Sequence, residues 1–299
     1  MKEKTQLNDE IKDWWEKHPF TLGVATKDYK GSDLVGKISL DKIDLGYFTE
    51  IERKFRKHSG IGAQEEGEPL LTKLVDLRAL KGKKVLEVAT GPGVHLVPYA
   101  EAGAEVVAID LTKYAVDQAT LNLKLRGLHG RVLQMDAQNM AFPDESFDFV
   151  HAWGCLMHMP DTEKAISEIY RVLRPGGKCL AYMYNRSSWP FWFNIIFLRG
   201  VLLLGLIRYK GDIDRLTSRY SDGASLGGNM LAKFYRPETV VKMFKEAGFE
   251  NVEVKAWDIG YEPDHWPLRS FPIFKFLPKF LKRYMSKHWG YGLIVHAEK

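Results

Sequence analysis

Short apolar runs alternate with amphipathic segments through the middle of the chain, between residues 70 and 186. The apolar runs predict buried strands over residues 84–89, 105–109, 131–135, 147–152 and 178–184. Segments with helical periodicity lie between or before them, at residues 70–80, 94–102, 113–126 and 162–173. Strands separated by single helices are typical of parallel βαβ units with right-handed crossovers. This part of the chain is therefore predicted to form a doubly wound α/β sheet.

The same alternation resumes near the C-terminal end of the sequence. Pro237 begins a predicted helix, and strands are predicted over residues 251–257 and 291–297. Two stretches of different composition interrupt the alternation, at about residues 187–231 and 259–289. We interpret both stretches as insertions into the sheet-forming domain.

The composition and length indicate the size of the core and the number of domains. Hydrophobic residues make up 45% of the 299 positions, which is enough to bury a sizeable core. The first 69 residues are polar and helical in parts, and they lack the strand and helix alternation of the remainder. We therefore predict an N-terminal helical cap over residues 1–69, followed by one large domain over residues 70–299 that carries both insertions.

Charge and cysteine content exclude several classes of protein. The 43 basic residues exceed the 38 acidic ones by only five, and they form no stripe, so no nucleic-acid partner is expected. The two cysteines, Cys155 and Cys179, form no CxxC pair, which disfavours a disulfide framework and a zinc site. We expect no metal. The N-terminal residues include no apolar leader, and a cytoplasmic protein is predicted.

A glycine-rich turn follows the first predicted strand. Residues 85–95 read VLEVATGPGVH, so the strand ends near Ala89 and the chain turns through Gly91 and Gly93 into a helix. Glycines allow a ligand to approach the backbone closely, and a helix N-terminus favours negative groups. Nicotinamide dinucleotides and S-adenosylmethionine (SAM), which carries a carboxylate, both suit such a turn.

Two residues near the turn favour SAM over a dinucleotide. Leu96 occupies the position where the dinucleotide fingerprint has its third glycine. Glu87, four residues before Gly91, places a carboxylate inside the first strand, where it suits an ammonium group better than a pyrophosphate. Asp110 ends the second strand, 19 residues after Gly91, and can accept hydrogen bonds from ribose hydroxyls of either cofactor.

Two longer runs carry a family resemblance. Residues 136–148, DAQNMAFPDESFD, and residues 170–177, YRVLRPGG, follow the third strand and the last central helix. Together with the glycine turn, these runs resemble the class I SAM-dependent methyltransferases, and within them the ubiquinone/menaquinone C-methyltransferase-like (methyltransferase type 11) group. The resemblance covers about residues 82–184, and the order and spacing of the motifs agree with it.

The resemblance implies both a fold and a cofactor site. The fold would be a Rossmann-like seven-stranded sheet of order 3-2-1-4-5-7-6, with the last strand antiparallel. SAM would be held through its ammonium by Glu87, through its ribose by Asp110, and through its adenine by Asp136. The expected cofactor-binding residues are Glu87, Thr90, Gly91, Gly93, Asp110, Leu111, Asp136, Ala137 and Trp153.

The acceptor of the methyl group would meet SAM beyond the fourth and fifth strands. His158 is a candidate general base there, although it could equally anchor its loop. Tyr184 is a candidate for orienting or deprotonating the acceptor, or a tyrosine buried at a strand end. No Asn/Asp-Pro-Pro-Tyr/Phe segment follows the fourth strand, so a small-molecule acceptor is expected rather than a nucleic acid or a protein.

The two insertions suggest an apolar acceptor. Residues 189–207 form an apolar run of 19 residues, in which Arg199 disfavours a membrane span and favours a helical lid above the acceptor site. Residues 271–289 combine six aromatic and five basic side chains, which suits a lipid headgroup interface or a cap packed on the lid.

We therefore expect a SAM-dependent enzyme that methylates a lipophilic small molecule, with peripheral membrane contact. Two alternatives remain open from the sequence. One is a SAM- or lipid-binding module without catalysis. The other is a nicotinamide-dependent oxidoreductase, which Glu87 and Leu96 disfavour.

Overall fold

The computed structural model describes residues 2–21, 37–58, 70–222 and 227–257, and near the C-terminus residues 278, 281, 284–285 and 288–299. In these residues a seven-stranded sheet has the order β3-β2-β1-β4-β5-β7-β6. The strands are β1 (Lys84–Val88), β2 (Glu105–Asp110), β3 (Arg131–Gln134), β4 (Phe147–Trp153), β5 (Leu173–Tyr184), β6 (Glu250–Trp257) and β7 (Gly292–Glu298). Strands β1 to β5 pair in parallel, and β7 is antiparallel to both of its neighbours. The predicted sheet order is confirmed.

Helices cover both faces of this sheet. They are α1 (Lys2–Lys17), α2 (Leu45–His58), α3 (Leu96–Glu101), α4 (Lys113–Leu125), α5 (Thr162–Val172), α6 (Gly205–Arg208), α7 (Ile213–Tyr220) and α8 (Pro237–Glu246), with a π-helix at Pro190–Leu202. Successive strand residues point to opposite faces. In β1, Val85 accordingly joins one buried cluster and Leu86 the other. The cluster that contains Val85 also takes in Phe48 and Ile51 of α2.

The segment before β1 differs from its prediction. Instead of a continuous helix over residues 70–80, the structure has a turn followed by a short 3-10 helix, Leu77–Leu80. Leu71 has a φ of 73°, which is outside the right-handed helical region. The Asp76 carboxylate then accepts a hydrogen bond from the backbone N–H of Arg78 and starts a new helical turn. The leucine spacing reflects burial of Leu70 and Leu71 in the core and not one face of a helix.

Both N-terminal helices pack against the main domain. Helices α1 and α2 each contact α4, the helix that follows β2. Arg126, directly after α4, forms a largely buried ion pair of 2.6 Å with Glu52 of α2. A separate cap over residues 1–69 stays a prediction, because these contacts do not define a domain boundary.

The first predicted insertion follows β5 and contains the π-helix, α6 and α7. Its buried side chains, Phe191, Ile195 and Leu216, belong to the same core cluster as Val85. The second predicted insertion, at about residues 259–289, lies almost entirely outside the described residues. Of the helices that the structure describes, none combines the length and the apolar character needed to cross a bilayer.

Candidate functional site

The glycine turn lies at the carboxyl end of β1. Gly91 and Gly93 have φ values of 52° and 75°, a left-handed conformation that glycine adopts most readily. A Cβ added to Gly93 would lie 3.0 Å from the Cβ of Ala119, so this glycine lets the turn pack directly on α4. A Cβ added to Gly91 would meet nothing within 4 Å. The turn is therefore tightly held on its α4 side and open at Gly91.

Glu87 lies in β1, just before this turn, and its carboxyl group has no charged cation beside it among the described residues. Its side chain is 2% exposed, and the Thr90 hydroxyl donates a 2.6 Å hydrogen bond to Oε2. Burial raises the pKa of Glu87 to about 8. His95 Nδ1 is 3.7 Å from Oε1, but burial lowers the pKa of His95 to about 3, so that imidazole is neutral. A buried carboxylate without a cationic partner among the described residues fits the ammonium group of SAM.

A buried histidine, His151, extends the polar group around Glu87. The two residues are register partners on β4 and β1, and the Tyr99 hydroxyl is 2.9 Å from His151 Nδ1. One potential ligand atom from each of Glu87, His95 and His151 lies within 4.8 Å of the others. Within the described part of the chain, the Nε2 atoms of both histidines make no hydrogen bond. The sequence motifs do not indicate this cluster, because two of its members meet only through strand pairing.

Asp110 joins the glycine turn to the end of β2. Its Oδ2 accepts from the backbone N–H of Gly91 at 3.0 Å, and its Oδ1 accepts from the N–H and hydroxyl of Thr112 at 2.9 and 2.8 Å. Burial raises the pKa of Asp110. A carboxylate has about four lone-pair sites, of which three are filled here. The fourth has no donor among the described residues, and its hydrogen bond to a ribose hydroxyl stays a prediction. Leu111 is half-buried beside it, and its contact with adenine stays a prediction.

Asp136 lies just beyond β3 and is bonded to the N-terminal helix. Its carboxylate accepts from the Asn8 side chain of α1 at 2.9 Å and from the backbone N–H of Gln138 at 2.8 Å. The Gln138 amide also donates to Asn8 Oδ1 at 3.0 Å. Ala137 is buried between these residues. Helix α1 therefore covers the place where the adenine is expected, and no sequence motif points to Asn8.

The other end of α1 reaches the expected acceptor side. The Trp15 ring centroid is 5.4 Å from that of His158, which follows β4. The next residue, Glu16, accepts from the backbone N–H of Tyr114 at 3.3 Å, at the start of α4. Trp153 stacks between His151 and Tyr182, with centroid distances of 5.8 and 4.8 Å. These rings form a wall between the cofactor loop and the acceptor side.

His158 and Tyr184 are brought together by a residue that the sequence analysis did not select. The Tyr184 hydroxyl donates to Oδ2 of Asp222, and His158 Nε2 lies 3.2 Å from the same oxygen. Asp222 lies two residues beyond the end of α7 in the first insertion, a segment without a family motif. Burial raises the pKa of Tyr184 well above its ordinary value, so the phenol keeps its proton at neutral pH. This protonation suits an orienting donor and not a base.

Comparison with known proteins agrees with this geometry. A family model described as a methyltransferase domain matches residues 86–181. A demethylmenaquinone methyltransferase of Geobacillus stearothermophilus is 30% identical, with 62% of this chain and 78% of that protein aligned. A ubiquinone biosynthesis O-methyltransferase of Thiobacillus denitrificans is 29% identical over 72% of this chain and 86% of that protein. A sterol 24-C-methyltransferase of Gibberella zeae is also 29% identical, but the chain spans only 53% of its length.

Solved structures share the fold. A SAM-dependent methyltransferase of Thermotoga maritima superposes with a TM-score of 0.51 at 20% identity, covering 85% of this chain and 97% of that one. One from Methanosarcina mazei gives a TM-score of 0.52 at 18% identity, covering 78% and 97%. The relatives decide the choice of cofactor that the glycine turn alone leaves open. The chain belongs to the class I SAM-dependent methyltransferases, in the ubiquinone/menaquinone methyltransferase-like group, and its methyl donor is SAM.

Proposed function

We propose that this enzyme transfers the methyl group of SAM to a lipophilic small molecule that it takes from a membrane surface. The observation that carries the proposal is an apolar, solvent-exposed tip on the first insertion, joined by one helix to the acceptor side. Relatives named for quinones and a sterol support an acceptor of the same character.

The base of the insertion packs on the acceptor side. Phe191, at the start of the π-helix, is fully buried, and its ring centroid lies 5.2 Å from that of Phe234. Phe234 in turn lies 4.9 Å from the ring of Tyr184. Rings from the insertion and from the end of β5 therefore pack as one buried apolar cluster, and such surroundings suit a hydrophobic acceptor better than a charged one.

The far end of the insertion is apolar and exposed. From the second half of the π-helix to the end of α6, large apolar side chains with exposed fractions of 46% to 74% share one stretch: Phe197, Val201, Leu202, Leu203, Leu204 and Ile207. We call these six residues the apolar tip. Soluble proteins rarely leave such a group in water unless it meets a partner or a lipid surface. Arg208 and Lys210 are exposed beside it and suit anionic headgroups.

The residues at the site would bind and orient both molecules. Bound SAM supplies a methyl group on a positively charged sulfur, which is activated for in-line displacement. Glu87 would hold the ammonium and Asp110 the ribose. The wall of Trp153 and Tyr182, together with the insertion, would exclude water and align the acceptor with the methyl carbon. His158 and Tyr184 would contact the acceptor group.

Vesicle flotation tests the membrane step. We expect wild-type protein to float with vesicles of phosphatidylcholine mixed with phosphatidylserine, and Leu202→Ser/Leu203→Ser to float much less. Leu45→Ser/Leu125→Ser is the control, because these two leucines are also exposed, at 41% and 40% against 57% and 64% for the tip leucines, but lie far from the tip in sequence. Equal flotation of all three proteins, or none, would contradict membrane docking through the tip. The basic aromatic segment, residues 271–289, and a cytoplasmic location stay predictions.

Methyl transfer from labelled SAM to a lipid and quinone extract tests the acceptor class. We expect label in the apolar fraction, and the product mass identifies the molecule. Label only in water-soluble products would refute a lipophilic acceptor.

A further inference from the structure

Three polar side chains from separate parts of the chain meet beyond the carboxyl ends of β4 and β5. His158 follows β4, Tyr184 ends β5, and Asp222 follows α7 in the first insertion. Oδ2 of Asp222 accepts from the Tyr184 hydroxyl and lies 3.2 Å from His158 Nε2. The Asp222 side chain is 26% exposed, whereas His158 is buried behind it. The carboxylate is thus hydrogen bonded to the phenol, lies beside the imidazole and remains accessible to a ligand.

The hydrogen bonds determine where the protons are. His158 Nδ1 is 2.6 Å from the backbone carbonyl of Leu231, and a carbonyl can only accept, so Nδ1 carries a ring hydrogen. Nε2 is therefore the nitrogen that has a lone pair whenever the ring is neutral, and its contact with Asp222 is not aligned as a hydrogen bond. Among the described residues, nothing donates to Oδ1 of Asp222. The group presents two proton acceptors side by side.

From this arrangement, and resting on the proposed function, we propose that the methyl acceptor is a hydroxyl group, phenolic or enolic, whose proton is taken by the pair of Asp222 and His158. The hydroxyl donates a hydrogen bond to Asp222. Its oxygen forms the bond to the methyl carbon, the carbon–sulfur bond breaks with its electrons passing to sulfur, and the hydroxyl proton passes to the Asp222 carboxylate and from there to His158 Nε2. The products are a methyl ether, S-adenosylhomocysteine and an imidazolium–carboxylate pair, which later releases the proton to water.

An amine is a poorer fit to the same group. A carboxylate such as Asp222 would hold an amine in its protonated form, and an ammonium has no lone pair to attack the methyl carbon. A hydroxyl oxygen keeps its lone pairs while its hydrogen is bound to Asp222. The site would therefore activate a hydroxyl group as the nucleophile and would keep an amine protonated and unreactive.

Helix α1 places this group beside the cofactor. Trp15 packs on the His158 ring, while the adjacent Glu16 is bonded at the start of α4, immediately after Asp110 and Thr112. Neighbouring residues on one helix therefore contact the acceptor group and the loop that is expected to hold the ribose.

Methyl transfer from SAM to octyl gallate, which carries phenolic hydroxyls on an apolar chain, provides the test, with octylamine as the competing probe. For Asp222→Asn we expect kcat to fall by about 10²–10⁴-fold, as when a general base is lost, with KM changed little. The kcat of His158→Gln should fall by a similar factor. The kcat of the double variant should be no lower than that of either single variant, because the two residues act as one unit. Asp214→Asn removes an exposed carboxylate from the same insertion and should leave kcat unchanged.

Calorimetric affinities for SAM show whether each variant still binds the methyl donor, so that a loss of kcat can be assigned to proton transfer and not to loss of the cofactor. If both Asp222→Asn and His158→Gln bind SAM as the wild type does and keep kcat within about threefold, the proton-transfer role is refuted. Methylation of octylamine but not of octyl gallate by the wild type would refute the hydroxyl assignment. Both outcomes leave a lipophilic acceptor standing, whereas label confined to water-soluble products refutes the proposed function itself.

Discussion

The buried carboxylate of Glu87 makes the stability of the SAM-free protein depend on pH in a defined direction. Its pKa is raised to about 8, against an ordinary value of 4.5, because burial disfavours the ionised form. The folded state therefore holds a proton that the unfolded state releases. The stabilising effect is complete below pH 4.5 and is lost as the pH rises to about 8. At about 1.4 kcal/mol per pH unit, the complete loss is on the order of 5 kcal/mol.

The Glu87→Gln variant isolates this effect. The amide has nearly the same shape, can accept the Thr90 hydrogen bond and does not ionise. His95, whose pKa burial lowers to about 3, acts in the opposite direction below its ordinary value of 6.5, so the wild-type curve alone is ambiguous. Urea unfolding of both proteins across this range, without SAM, gives their difference in free energy of unfolding. We expect the wild type to lose stability relative to the variant as the pH rises. Parallel curves would show that Glu87 is ionised in the folded protein and refute the argument.

Two further substitutions test the cofactor loop and its cover. Gly93→Ala should lower the free energy of unfolding by about 2–5 kcal/mol, because the new methyl group meets Ala119 and the left-handed backbone disfavours alanine. Gly127 has the same left-handed backbone but open space around it, so Gly127→Ala should lower the free energy of unfolding by only about 1–2 kcal/mol. Equal losses of free energy in urea unfolding of the two variants would count against the clash. Asn8→Ala should raise the calorimetric Kd for SAM by about two- to tenfold, since it removes one hydrogen bond that holds α1 over the end of β3. An unchanged Kd would mean that α1 does not cover the bound cofactor.

The sheet and the cofactor loop are predictable because their signals are local. Apolar runs mark the strands, and the residues of the glycine turn are close in sequence and in space. The leucines of residues 70–80 gave a wrong helix because burial imposes the same spacing on a turn. The spacing of apolar residues indicates which side chains are buried. It does not indicate backbone conformation, so the positive φ of Leu71 could not be predicted from it.

The residues that were not predicted are those brought together by tertiary packing. Asn8 reaches Asp136 across 128 positions of sequence, and Asp222 reaches Tyr184 across 38. His151 meets Glu87 only because β4 pairs with β1. Each is an ordinary polar residue in a segment without a motif, so only the fold reveals its partner.

Helix α1 touches both halves of the site, and its rigidity links them. Asn8 and Trp15 are seven residues apart, about 10 Å along one helix. One is bonded at the expected adenine position, and the other packs on His158. Because the helix is rigid, breaking the contact of Asn8 with Asp136 would also disturb the contact of Trp15 with His158. The helix would thus make the affinities for donor and acceptor depend on each other, and exchange of the spent cofactor would also uncover the methylated product.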